Sequence, residues 1–342
     1  MHSKVLIIYT GGTIGMINDP NNGSLRPFDF KHILNFIPDL KQFNIEIDTY
    51  SFDKPIDSSD ADIDLWIKTA KVIEKNYLNY DGFVILHGTD TMAYTGSALS
   101  YMISNLDKPV ILTGAQLPIG TLRTDGKENL ITAIEIAAAK DERGKARVPE
   151  VCIYFETKLY RANRTHKYNA EYFDAFESPN YPTLAEAGIK IHYNDNAIAG
   201  KESAGITKFN YNFDNNIGIL KIHPGINLNF LEATIETEGL KGLIIETYGT
   251  GNAPTNKNFI NSLKKAIDKG IIVYNVSQCN AGRVEMEKYA TGKKLKELGI
   301  ASGKDITIEA AVTKLMFLLG QGMSKEKVKF YLEKNIAGEI KE

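Results

Sequence analysis

Residues Val5–Tyr9 form an unbroken apolar run that stops at Thr10-Gly11-Gly12-Thr13-Ile14-Gly15. This stretch constrains the fold more than any other. A strand with no polar alternation belongs inside a parallel sheet covered on both faces. Two successive glycines then let the backbone turn sharply and pass close to another segment. Thr13 therefore stands just beyond the carboxyl end of a buried strand, where open α/β sheets bind their ligands. A hydroxyl displayed there is either a nucleophile or part of a phosphate cradle.

The same unit recurs along the chain. Ile45–Tyr50 alternates like a strand, and Asp57-Ser58-Ser59-Asp60 reads as a turn and helix start, because short polar side chains accept from free backbone N–H groups. A helix is expected over Asp64–Asn76. Asp81–His87 is a buried strand ending at Gly88-Thr89-Asp90-Thr91, with a helix through about Ser104. Pro109–Thr113 ends at Gly114-Ala115-Gln116, followed by a helix over Asn129–Lys140 and a strand at Val151–Phe155. Asn18–Phe30, rich in Asn, Asp, Gly and Pro, reads as a mobile loop whose Asn18–Arg26 part acts as a lid, and Phe28–Phe36 has helical spacing.

From Ala185 to Asn216 the periodicity weakens, as in a strand-like meander plus linker. A second α/β unit starts at Ile217–Ile222, with strands at Gly242–Glu246 and Ile271–Val276, a helix at Asn258–Lys269, and helices at Thr307–Leu319 and Lys325–Lys334. The alternation predicts two unequal α/β domains: a larger, doubly wound, mostly parallel N-terminal domain over 1–195, a linker over 196–215 and a smaller α/β domain over 216–342.

Net charge is −2, which gives no electrostatic footprint for nucleic acid or an anionic membrane. No apolar run approaches the length of a membrane span, and the first residues lack the pattern of a signal peptide. Cys152 and Cys279 each sit in an apolar, strand-like run, so both are expected to be free, buried thiols of a cytoplasmic protein. The six histidines are scattered, without a metal-ligand spacing, and neither G-x-G-x-x-G nor G-x-x-x-x-G-K-[ST] occurs. No metal or organic cofactor is expected.

Three strand ends thus present hydroxyl or carboxylate side chains on one sheet edge: Thr13, Asp57-Ser58 and Thr89-Asp90. A threonine hydroxyl is a weak nucleophile until a base takes its proton, and Asp90 needs a cationic partner to complete a relay. On the residues alone Thr13 and Thr89 also fit capping roles, and Asp57 and Ser58 fit a plain turn.

Thr10–Gly15 together with His87-Gly88-Thr89-Asp90-Thr91 resembles the paired signatures of the bacterial-type L-asparaginase family. Thr113–Gln116, Tyr160, Arg161, Arg164, Lys167 and Phe173–Pro179 resemble its cytoplasmic (type I) branch, and Tyr248–Pro254 with Tyr289–Gly292 carry the likeness into the second domain. The resemblance implies the two-domain asparaginase fold and a cofactor-free amidohydrolase. The reaction would convert the side-chain amide of L-asparagine to L-aspartate and ammonia through a threonine acyl-enzyme. It implies that Thr13 is the nucleophile and that Thr89, Asp90 and Lys167 form the second catalytic cluster.

Asp90 is suited to the substrate α-ammonium, Ser58 to its α-carboxylate and the Thr89 N–H to the oxyanion, with Asp57 and Ser59 as further candidates for substrate contact; the resemblance implies that the Ala115 carbonyl accepts from the leaving nitrogen. Many relatives carry a tyrosine on the loop after the first strand. The loop Asn18–Pro27 has none, and Tyr289 is the expected substitute. The family further implies a homodimer or homotetramer. Two other functions remain open at this point: a glutamyl-tRNA(Gln) amidotransferase-type subunit, which would carry an added N-terminal domain, and a non-catalytic amino-acid-binding sensor.

Overall fold

The computed structural model describes residues 2–18, 25–27, 37–38, 40, 43–199 and 205–342. The opening strand β1 (Ser3–Gly11) is buried from Val5 onward, as its unbroken apolar pattern demands. Its neighbours β2 (Ile45–Ile56) and β3 (Gly82–Leu86) are both parallel to it. The parallel set continues through β4 (Val110–Thr113) and β5 (Val151–Phe155). Helices α1 (Ile63–Asn76), α2 (Met92–Met102) and α3 (Gly126–Ala138) make the crossovers.

Beyond β5 the chain reverses. Strand β6 (Lys158–Arg161) runs antiparallel to β5, and β7 (His166–Lys167) pairs antiparallel with β8 (Phe176–Glu177) apart from the main sheet. Antiparallel β9 (Ala185–Ala187) and β10 (Ile191–Tyr193) extend the sheet to eight strands in the order β10-β9-β6-β5-β4-β3-β1-β2. Ile7, Tyr9, Val84, Leu86, Ile111, Leu130 and Ile134 meet in one buried cluster. Each such side chain contributes roughly 1.5–3 kcal/mol of burial free energy.

Because β2, β1, β3 and β4 are parallel neighbours, their carboxyl ends lie side by side. The turns at Asp57–Asp60, Gly12–Gly15, Gly88–Thr91 and Gly114–Gln116 therefore share one edge. This placement is what turns four separate sequence signals into one site.

Local differences from the expected elements have physical causes. Strand β2 runs to Ile56, because Phe52–Pro55 bulge out opposite the single residue Thr10 before pairing resumes at Gly11 with Ile56. The expected helix start at Asp57–Asp60 is a separate 3-10 turn; Asp57 caps it, and α1 begins later behind its own cap, Asp62. Helix α2 stops at Met102, and Ile103–Ser104 instead pair antiparallel with Lys208–Phe209. The expected lid and the helical spacing of Phe28–Phe36 fall mostly on 19–24 and 28–36, outside the described residues. At the base of that loop Met16–Asn18 and Leu25–Pro27 pair antiparallel.

The chain forms two compact units, Met1–Tyr211 and Asn212–Glu342. The second holds a four-stranded parallel sheet in the order β11 (Ile217–Lys221), β12 (Gly242–Thr247), β13 (Ile272–Ser277) and β14 (Ala301–Ser302). Its helices are α4 (Leu228–Ile235), α5 (Lys257–Asp268), α6 (Ala290–Glu297), α7 (Ile308–Gly320) and α8 (Lys325–Leu332). Cys152 is buried in β5 as expected, but Cys279 is exposed: β13 ends at Ser277, and the thiol lies two residues past it on the following turn.

Candidate active site

Thr13 opens a short 3-10 turn (Thr13–Gly15) directly after β1. Gly11 and Gly12 precede it with φ of 140° and 89°, a left-handed stretch closed to most side chains. A Cβ on Gly12 would lie 2.5 Å from Gly88 N, so the two backbones touch. Each glycine is followed by a threonine, and the contact brings Thr13 and Thr89 together. Gly88 in turn packs on Ser58, whose Oγ is 2.4 Å from where a Gly88 Cβ would stand. A Cβ on Gly114 would meet His87 O at 2.4 Å and Thr89 Cγ2 at 3.6 Å, and one on Gly126 would meet Ala115 Cβ at 3.0 Å and Ile14 Cγ1 at 3.2 Å. Side chains this small let four strand ends converge.

Lys167 reaches the same place from β7. It sits on a rigid base, since Thr165 Oγ1 donates to Arg161 O at 2.7 Å and Tyr160 Oη donates to Phe176 O at 3.0 Å. Its Nζ lies 2.8 Å from Thr89 Oγ1 and 2.6 Å from Asp90 Oδ1. Asp90 is the more open partner, 65% exposed against 16% for the lysine side chain. A lysine bonded at once to a hydroxyl and a carboxylate can exchange a proton through that hydroxyl while the carboxylate fixes its position.

The Thr89 hydroxyl also donates to Gln116 Oε1 at 3.3 Å. Among the described residues neither the Thr13 hydroxyl nor the Thr89 N–H has a partner, so both are available to a bound molecule.

Arg161 and Arg164 do structural work away from these groups. Arg161 Nε pairs with Glu150 at 2.5 Å, and both guanidinium groups stack over the Tyr181 ring.

Asp57 accepts from the Ser59 hydroxyl at 2.6 Å and the Ser59 N–H at 2.9 Å, and these bonds hold its carboxyl below the ordinary carboxylate value. Asp57 and Ser59 thus engage each other. Ser58 is buried, and its carbonyl accepts from Thr91 Oγ1 at 2.7 Å. Tyr289 belongs to the second unit, where it precedes α6 and is half exposed. Asn252 forms a turn there, bridged to Tyr248 and accepting from Thr291 Oγ1 at 2.6 Å.

Two supporting sets surround the groups of the first unit, and of their members the sequence marks only His87, read as hydrogen-bonding behind the site rather than acting. Asp125 accepts from the N–H groups of Gln116 and Leu117, at 2.9 and 3.1 Å, and Asn129 donates to Gly114 O at 3.0 Å. These bonds fix the turn bearing Ala115. On the other side Trp66, Thr95 and His87 form a hydrogen-bonded chain ending on Gly88 O. The only sequence signal of the other members is the presence of polar residues on otherwise apolar faces. Among the described residues no group of three or more His, Cys, Asp or Glu could hold a metal ion.

Residues 4–199 match the family described as Asparaginase, N-terminal, and residues 216–332 match the Glutaminase/Asparaginase C-terminal domain. The chain belongs to the asparaginase family. It is 40% identical to L-asparaginase 1 of Escherichia coli (strain K12) over 338 residues, covering 98% of each chain. Among solved structures, L-asparaginase I of Vibrio cholerae aligns with a TM-score of 0.91 at 39% identity over 100% of both chains. The thermostable L-asparaginase of Thermococcus kodakarensis aligns at 0.89, with 31% identity over 99% of each. Both alignments run through the two α/β units of this chain.

Proposed function

We propose that this asparaginase-family chain hydrolyses the side-chain amide of L-asparagine to L-aspartate and ammonia through an acyl-enzyme on Thr13. The observation that carries the reading is the cluster Thr89–Lys167–Asp90, with bonds of 2.8 and 2.6 Å, together with a Thr13 hydroxyl that has no partner among the described residues.

In the first step Thr13 Oγ1 bonds to the amide carbon and its proton is transferred to the departing nitrogen, which leaves as ammonia. In the second, water adds to the ester, the C–Oγ1 bond breaks and Thr13 regains its proton. Lys167, through the Thr89 hydroxyl, handles the proton of one of these attacks. Tyr289 is the proposed assistant for the other. The Thr89 N–H donates to the carbonyl oxygen as it becomes an oxyanion, and loss of such a donor costs roughly 3–4 kcal/mol. Asp90 accepts from the substrate α-ammonium, Ser58 donates to the α-carboxylate from the turn that Asp57 and Ser59 brace, and the Ala115 carbonyl accepts from the leaving amide nitrogen.

A stand-alone hydrolase is preferred to an amidotransferase-type subunit, since the full-length match is to E. coli L-asparaginase 1 over 98% of each chain. The protein is further proposed to be cytoplasmic and to work as a homodimer or homotetramer. No helix among the described residues is long and apolar enough to cross a membrane.

The decisive experiment is ammonia release from asparagine by wild type and Thr13→Ala. Burst kinetics and an aspartyl mass adduct on the wild type are expected, and neither in the variant. Full activity in Thr13→Ala refutes the nucleophile. No ammonia from the wild type refutes the activity.

A further inference from the structure

Gly88 is an awkward residue on which to hang a catalytic peptide. It has no side chain to restrict its rotation, yet the peptide between Gly88 and Thr89 must hold one orientation for its N–H to act as an oxyanion donor. Three buried hydrogen bonds meet that need. Trp66 Nε1 lies 3.1 Å from Thr95 Oγ1, Thr95 Oγ1 lies 2.9 Å from His87 Nε2, and His87 Nδ1 lies 2.7 Å from Gly88 O. Thr95 is fully buried, and His87 is 1% exposed.

Chemistry fixes the direction of the chain. An indole N–H only donates, so the Thr95 oxygen accepts from it. A nitrogen facing a carbonyl oxygen must carry a proton, so His87 Nδ1 is protonated and donates to Gly88 O. Burial holds the His87 ring below its ordinary pKa, which keeps it neutral. Nε2 is then the acceptor, and the Thr95 hydroxyl donates to it. The proton on His87 is thereby confined to one nitrogen.

There are no cis peptides among the described residues, and in a trans peptide the C=O and the next N–H point in opposite directions. Gripping the Gly88 oxygen from behind therefore aims the Thr89 N–H forward, away from His87.

We infer that Trp66, Thr95 and His87 are positioning residues whose shared hydrogen-bond chain orients the Thr89 N–H toward the developing oxyanion. The inference rests on the asparaginase reading above and adds to it residues that never touch the substrate. It also accounts for a histidine at the end of a fully buried strand, where an apolar residue would pack at lower cost.

The test uses three variants at one position. Asn can offer its Nδ2–H where His87 Nδ1 stands, Gln reaches only toward Thr95, and Leu does neither. In His87→Gln and His87→Leu, kcat on asparagine is expected to fall about 10–100-fold, part of the effect of losing a donor outright, with KM within about twofold. His87→Asn is expected to recover most of that loss, although its melting temperature drops with the others because the Thr95 bond is gone.

If all three variants lose activity only in proportion to stability, or if KM rises while kcat holds, the relay is wrong. Histidine ring 15N shifts give a second readout on the wild type. A neutral ring with its proton on Nδ1 is expected at neutral pH, and a neutral ring with its proton on Nε2 overturns the relay whatever the turnover. A wild type that releases no ammonia from asparagine refutes the parent reading, an outcome distinct from an active wild type whose Gln and Leu variants are equally active.

Discussion

Two parallel sheets in this chain end in hydroxyl and amide side chains, and they use them in opposite ways. At the carboxyl end of the second unit's sheet, Thr247 Oγ1 donates to Asn275 Oδ1 at 2.6 Å, Ser277 Oγ donates to Gly249 O at 2.6 Å, and Gln278 Nε2 donates to Ile222 O at 2.6 Å and Glu246 O at 2.7 Å. Those groups are spent on the fold. In the first unit the Thr13 hydroxyl and the Thr89 N–H have no partner among the described residues, and close glycine contacts bring their strand ends together alongside such bonds as Thr10 Oγ1 to Leu86 O at 2.9 Å.

The two notable lysines repeat the contrast. Lys314 is wholly buried against Glu339 at 2.5 Å, with Leu332 O and Lys334 O as further acceptors, whereas Lys167 pairs with an open carboxylate and a reactive hydroxyl. Under the proposed function, identical side chains are structural where every hydrogen-bonding group is satisfied internally and chemical where one is left open.

The strongest challenge to that contrast is Thr13→Ala, for which ammonia release is expected to fall at least about 10⁴-fold, with melting unchanged. Comparable turnover would erase the distinction between the two sheets. Next comes Lys314→Met. Stranding the Glu339 carboxylate is expected to cost about 3–5 kcal/mol in urea unfolding, while kcat per folded molecule stays the same. Lys167→Met is its mirror: a loss of about 10²–10³ in kcat, with an unfolding midpoint close to wild type. A large stability loss there would make Lys167 another structural pair.

Thr247→Val should weaken folding by about 1–3 kcal/mol by leaving Asn275 Oδ1 without its donor, again without touching turnover. The smallest effect concerns acid. Bonds from Ser59 depress the folded-state pKa of Asp57, so its contribution is present above the unfolded value near 4 and is lost as pH falls through the folded one. Asp57→Asn should give a slightly flatter acid limb in urea titrations, with the two proteins converging at the lowest pH.

The strand ends were readable because their signals are local: an apolar run followed by adjacent glycines states both the sheet and the turn. Lys167 was not, since nothing around His166–Lys167 distinguishes it from a solvated lysine, and only the family resemblance pointed to it. Among the supports of the site His87 was legible as a hydrogen-bonding residue behind it, and the others were hidden for another reason. Asp125 serves Gln116 from nine positions away, and Trp66 serves Thr95 from 29; such pairings exist only after the helices dock. Two capping aspartates close together, Asp57 and Asp62, separate a 3-10 turn from α1, which begins at Ile63, one residue before the expected Asp64. The stretch Val276-Ser277-Gln278-Cys279 shows how an apolar run can be read too far: the strand gives out at Ser277 and the thiol faces water.

The contact between Gly12 and Gly88 limits how this enzyme could be re-engineered. Backbone meets backbone there, so the spacing of the threonine pair is set by main-chain atoms that no substitution can trim, and any added carbon at either glycine collides. On the proposed function, laboratory evolution toward bulkier amides would have to change the residues around the pair and leave the pair itself at its inherited separation.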